Sequence, residues 1–174
     1  MATPLLRDGV FDRTVLLLLE HGRAEGAVGV VLNRPSEVDL RQVLPAWRDA
    51  AADPGQVFLG GPVSPGGAIC LGRASSPAAS GWDPVVGEIG VVDLSRPAEE
   101  VLAGVEQVRV FTGCAGWAPR QLEGELDAHA WLVVDAAPGD ALCAAPADLW
   151  RDVLRRQGGS VAWLANHPDD PALN

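Results

Sequence analysis

Apolar residues run unbroken from Val15 to Leu19 and stop at the polar pair Glu20-His21. A continuous run of that length inside residues 14–21 predicts a strand buried on both faces. Residues 22–26, bounded by Gly22 and Gly26, make a turn, and residues 27–32 form a second apolar run. So short a connection predicts that the two strands pair as a hairpin. The second run ends at Asn33-Arg34-Pro35, where the proline pushes Arg34 out of the helical region. Asp39 stands at a helix start with Gln42 three residues on, a capping-box pattern. Leu40, Val43, Leu44 and Trp47 then form one apolar stripe at helical spacing. Pro45 interrupts the stripe and predicts a kink or two short helical pieces.

Short strands follow over 56–59, running into Gly60-Gly61-Pro62-Val63, and over about 68–71. Residues 72–87 hold Ser, Ala, Pro and Gly without periodicity and read as the longest loop, which makes Trp82 the tryptophan expected to be exposed. Residues 88–92 read as a strand. Ser95 caps a helix from Pro97 to about Val105, with Glu99 and Glu100 near its positive end. Val108, Val110 and Thr112 alternate as a strand leading into a glycine-rich turn, Gly113-Cys114-Ala115-Gly116-Trp117. That turn opens onto a helix with Pro119 in its first turn. A strand at 130–134, a helix from about 148 to 157 stopped by Gly158, and a short segment at 161–164 complete the series. With neither repeat nor linker, residues 1–174 read as one α/β domain of the α+β kind. Its mixed, largely antiparallel sheet is flanked by about four helices.

Composition narrows the function classes. Hydrophobic residues at 48% against 21% charged describe a folded globular protein. No apolar run approaches a membrane span, and no basic, then apolar leader opens the chain, so the expected setting is the cytoplasm without a membrane partner. The net charge of −10, from 23 acids against 13 arginines and no lysine, repels phosphate backbones and disfavours nucleic acid as a partner. Arg151, Arg155 and Arg156 form the one basic cluster, which reads as a solvated helix face. Three cysteines without metal-ligand spacing read as free thiols, and neither a metal nor a cofactor is implied.

Four ordered segments carry a family resemblance. They are Phe11-Asp12-Arg13-Thr14-Val15 through Glu20-His21, residues 26–35 ending in Asn33-Arg34-Pro35, Gly60-Gly61-Pro62-Val63, and Gly113-Cys114-Ala115-Gly116-Trp117 with Gln121-Leu122-Glu123 and Glu125. Trp131-Leu132-Val133 and the closing Pro171-Ala172-Leu173-Asn174 agree with them. Together they resemble the YqgE/AlgH family of bacterial proteins over nearly the whole chain. The resemblance implies a single α/β domain with its own fold in a bacterial cytoplasm. Some members are described as transcriptional regulators, and no catalytic residue, metal or cofactor comes with the family. Three departures stand out: the family opens with a further strand ahead of the segment matching Ala2 to Leu5, Cys114 stands where tyrosine is expected, and Arg120 stands where glycine is expected.

The candidate chemistry is incomplete on its own terms. Cys114 at a strand end needs a base, and His21 or His129 would have to supply it. Gly113 and Gly116 permit close approach of an anion, or equally of the protein's own backbone. Glu20 and His21 become an acid–base pair only if Glu123 or Glu125 joins them. The leading expectation is a non-enzymatic binding or regulatory protein. Its groove of converging turns, Asn33, Arg34, Gly60, Gly61, Gly113, Cys114, Trp117 and Gln121, would hold a protein segment or small ligand. The alternative is an enzyme acting on a small anionic substrate through Glu20 and His21. A transcriptional regulator comes third, against the net charge.

Overall fold

The computed structural model describes residues 1–168. Its strands are β1 (Leu16–Gly22), β2 (Gly26–Val31), β3 (Pro35–Asp39), β4 (Gln56–Leu59), β5 (Val63–Ala74), β6 (Trp82–Val86), β7 (Ile89–Val92) and β8 (Val105–Trp117). They join in the order β1-β2-β8-β5-β7-β6, with β4 alongside β8 and β3 on β4. The β4–β8 pairing is parallel and the other strand pairs are antiparallel, so the mixed, largely antiparallel sheet is observed. Among the described residues five α-helical segments accompany it: α1 (Leu40–Val43), α2 (Ala98–Leu102), α3 (Gln121–Asp127), α4 (Leu149–Gln157) and α5 (Gly159–Trp163).

Alternation along β8 divides the core. Val108 and Val110 face a cluster that includes Leu40, Trp47 and Val101, while Phe111 joins Phe58, Leu71 and the inner side of α4, where Trp150, Val153 and Leu154 are buried. A period-2 strand with apolar side chains on both faces needs a covering layer on each, and the helices supply them.

The β1–β2 hairpin forms as the apolar runs predict. β1, however, is an edge strand and only partly buried, with Leu18 38% exposed, because its outer side faces a cavity. Asp39 does cap α1, but it accepts from the Arg41 N–H at 2.8 Å and not through a box with Gln42. Pro45 splits the stripe into α1 and a 3-10 segment, Pro45–Ala50. The neighbouring β3 carries no alternation that would have announced it.

The loop read over 72–87 shrinks to 75–81, since β5 extends to Ala74 and β6 begins at Trp82. Trp82 is buried, its indole N–H donating to the Gly72 carbonyl at 3.0 Å. Gly90 leaves room for the ring, since a Cβ there would fall 2.5 Å from Trp82 Cε2. The exposed tryptophan is Trp163, at 77%. Ser95 does not cap α2: its hydroxyl donates to Asp93 at 2.6 Å, and Pro97 holds the N-cap position.

The largest departure is at residues 113–117, which form no turn. β8 continues through them to Trp117, with Val63 opposite Cys114 and Ala27 opposite Trp117. Pro119 consequently precedes α3, whose N-cap is Arg120. Residues 130–134 contribute one bridge, Trp131 to Ala2, in place of a strand. The 161–164 segment is helical, shared by α5 and a 3-10 turn. The closing Pro171-Ala172-Leu173-Asn174 lies outside the described residues.

Candidate functional site

Glu125 organises the end of β8. Its Oε2 accepts the indole N–H groups of Trp117 at 2.9 Å and Trp131 at 2.7 Å, and its Oε1 accepts from the Gln121 amide at 2.9 Å. Gln121 Oε1 in turn accepts from the Ala118 N–H at 3.0 Å and closes the entry to α3. Partial burial works to raise the Glu125 carboxyl pKa, but the three donors outweigh it and hold the group below the ordinary range. The rings so fixed pack with Phe11: it stacks with Trp117 at 6.5 Å and meets Trp131 edge-on at 5.5 Å.

Trp117 and Trp131 form part of the wall of a cavity of about 840 Å³. Consecutive residues of β1 (Leu16, Leu17, Leu18), the β6–β7 hairpin (Val85 to Ile89) and the segment 131–138 complete it, with Leu122 and Leu126 from α3. β1 and β6 are the two ends of the strand order, so the cavity lies where the sheet fails to close. Its volume falls in the range of ligand sites, and its walls are chiefly aliphatic and aromatic.

His21 and Glu123 also line the cavity, with His21 Nε2 3.0 Å from Glu123 Oε1. Glu123 is held below its usual range, first by its own backbone N–H at the start of α3 and then by His21. The pair can exchange a proton or orient a polar group. Among the described residues, no serine, threonine, cysteine or lysine lines the cavity, and no cluster of His, Cys, Asp or Glu could hold a metal ion.

The eight residues expected to share a groove are placed in four ways. Trp117 lines the cavity, and Gln121 braces it through Glu125. Gly60, Gly61 and Gly113 press backbone on backbone: a Cβ on Gly60 or Gly61 would come closer than 3.0 Å to the Gly113 or Cys114 main chain, and one on Gly113 as close to Gly61. Cys114 packs half-buried against the core. Asn33 is buried and structural, accepting from the Val15 N–H at 3.0 Å and donating to the Arg13 carbonyl at 2.9 Å. Arg34 donates to the Asp12 carbonyl. Of the alternative pair, His21 reaches the cavity and Glu20 does not line it.

Sequence reasoning missed Arg109, a fully buried cation on β8. It donates to the carbonyls of Ala141 at 3.3 Å, Cys143 at 3.0 Å and Asp53, and its guanidinium lies 4.2 Å from the Phe58 ring centre. Burial pushes its pKa down to about 10, partly offset by Cys143 and Asp53 nearby. Its place in the alternation Val108-Arg109-Val110 was the available signal, a charge on an otherwise apolar strand.

Fold and site together define a class: an α+β protein whose sheet is left open between two edges over an apolar cavity. The AlgH-like family matches residues 1–162, and the chain belongs to that family. It is 51% identical to a UPF0301 protein of Streptomyces coelicolor, an alignment covering all of this chain and 92% of the relative. A Mycobacterium tuberculosis relative is 42% identical over all of this chain and 88% of its own length. A crystal structure of a Corynebacterium diphtheriae protein superposes with a TM-score of 0.89 at 28% identity, covering 95% of this chain and 88% of the other. The solution structure of AlgH from Pseudomonas aeruginosa gives 0.69 at 29%, covering 98% and 92%.

Proposed function

We propose that the protein is a non-enzymatic binding protein of the cytoplasm, with a regulatory role exerted through what it holds. The seat is the apolar cavity between the sheet edges. The observation that carries this reading is the cavity itself: about 840 Å³, apolar-walled, and bounded on one side by Trp117 and Trp131, which Glu125 holds in place. Within the groove expected from the sequence, Trp117 is the contact and Gln121 its brace. Gly60, Gly61, Gly113, Cys114, Asn33 and Arg34 set the frame around them. The net charge supports a partner other than nucleic acid.

Titration with Nile red, an uncharged dye whose fluorescence rises in apolar sites, tests the seat. Saturable binding is expected, weakened at least tenfold by Leu18→Glu at the cavity wall and unchanged by Leu59→Glu, an exposed position away from it. Equal binding by both variants and the parent protein would remove the reading.

One observation favours an acid–base enzyme, the 3.0 Å contact between His21 and Glu123. The carboxylates of Glu88 and Asp135 at the same cavity oppose its proposed anionic substrate.

A further inference from the structure

A cavity lined by one face of a strand touches every second residue, because side chains alternate. Here Leu16, Leu17 and Leu18 all line it in succession, as do Val85 through Ile89 across the gap. The cavity therefore lies along the strand edge, where main-chain groups as well as side chains are offered.

The hydrogen-bond pattern says which groups those are. The Leu32 N–H donates to the Val15 carbonyl at 2.8 Å, and Leu17 pairs with Val30 in the same register. By the alternation of an antiparallel ladder, the N–H and C=O of Leu16 and Leu18 point away from β2, toward the cavity. Thr14 has the same parity, and its carbonyl is already taken by the Ala2 N–H at 2.9 Å. The first outer rung of β1 is thus filled by an extended segment, and among the described residues the rungs at Leu16 and Leu18 are not. An apolar small molecule would leave those groups unpaired, at a cost in a desolvated site.

Resting on the binding reading above, we infer that the occupant is an extended peptide segment of a partner protein, added as a strand along β1. Its apolar side chains would fill the cavity and basic residues would flank them. Leu18 (38% exposed), Val86 (41%) and Val133 (82%) bring exposed apolar surface from three separate elements to this one opening. Of the four carboxylates at this opening, Glu123 is paired with His21 at 3.0 Å and Asp140 with Arg156 at 2.7 Å. That leaves Glu88 and Asp135, without an ion-pair partner among the described residues, as its net negative charge. Main-chain rungs supply affinity, side-chain pockets supply selectivity, and the acidic rim selects lysine or arginine at the flanks.

The probe is the capped peptide Lys-Val-Thr-Val-Thr-Val-Lys, titrated into the unmodified 174-residue chain and followed by amide hydrogen exchange. Saturation is expected to slow exchange at Leu16 and Leu18 at least tenfold while Leu17 changes little. Two control peptides with the same core, one carrying alternate backbone N-methyl groups and one with glutamate in place of both lysines, are expected to bind at least tenfold more weakly. Unchanged exchange at Leu16 and Leu18, or equal affinity for the N-methylated peptide, overturns the strand. Absence of peptide binding with retained Nile red binding overturns this inference and spares the binding reading, whereas absence of both removes the two together. Protection of Leu16 and Leu18 that rises with protein concentration alongside sedimentation as a dimer, without peptide, would replace the partner by a second copy.

Discussion

Gly61 and Gly113 interlock: the Gly61 carbonyl fills the space a side chain on Gly113 would need, and the main chain of Cys114, next to Gly113, fills that of Gly61. Gly61 has φ of 150° and Gly113 of 67°, and a Cβ on Gly113 would overlap the Gly61 carbonyl. Alanine at either position therefore meets backbone that has little freedom to yield, in a conformation that L residues rarely adopt. Gly61→Ala and Gly113→Ala are each expected to lower stability by about 2–4 kcal/mol in urea unfolding. Gly116→Ala, whose Cβ would lie 3.5 Å from Val63 Cγ2, is expected to change it by less than about 1 kcal/mol.

Arg120 adopts φ of 64° at the N-cap of α3, with no side-chain cap hydrogen bond. A non-glycine residue in that conformation costs about 1–2 kcal/mol, part of which returns as entropy of a more flexible unfolded chain when glycine replaces it. Arg120→Gly should therefore raise stability by about 0.5–1 kcal/mol. Thermal unfolding at one fixed pH measures it, and a lowered midpoint would contradict the account.

Removing Glu125 leaves two buried indole N–H groups without their acceptor. Glu125→Ala is expected to cost about 2–3 kcal/mol, with near-ultraviolet dichroism reporting loosened tryptophans. Glu125→Gln, which keeps one carbonyl oxygen, should cost less. The native carboxyl titrates below its ordinary 4.5, so its contribution is fully present above that pH and is lost as pH falls through the lower folded value. Stability measured from pH 6 downward should decline less steeply in Glu125→Gln than in the parent protein.

Arg109 satisfies three carbonyls from two separate loop segments, and those carbonyls remain when it is truncated. Arg109→Ala is expected to cost about 3–5 kcal/mol. Arg109→Lys should restore only part, because a point donor cannot serve a fork of acceptors. Hydrogen exchange in residues 141–143 should accelerate in both variants, more in the alanine one.

Periodicity and turn chemistry were enough for the hairpin, the α1 break at Pro45 and α4, because each rests on contacts close in sequence. They failed where long-range pairing decides. Glycines 113 and 116 read as a turn because local propensity favours one, yet β2 and β5 flank this stretch and keep it extended. Trp82 read as exposed because residues 72–87 lack periodicity, whereas its pocket forms only once β5, β7 and β6 pair and bring Gly72 and Gly90 against the ring. In the candidate site, Trp117 and Gln121 were legible from their motif. The cavity was not, since it is a gap between the first and last strands of the order and has no signature in either.

An unclosed sheet also sets how the protein behaves in crowded solution. Exposed strand edges template association between identical chains, and closure by pairing is the usual protection. Here the bulge between Leu18 and Glu20 limits the open edge of β1 to its first rungs, Pro84 interrupts the other edge, and ten net negative charges keep copies apart. Colloidal stability is then electrostatic, so concentrated samples should stay clear at low ionic strength and turn turbid as salt is added or as pH approaches the isoelectric point near 4.6.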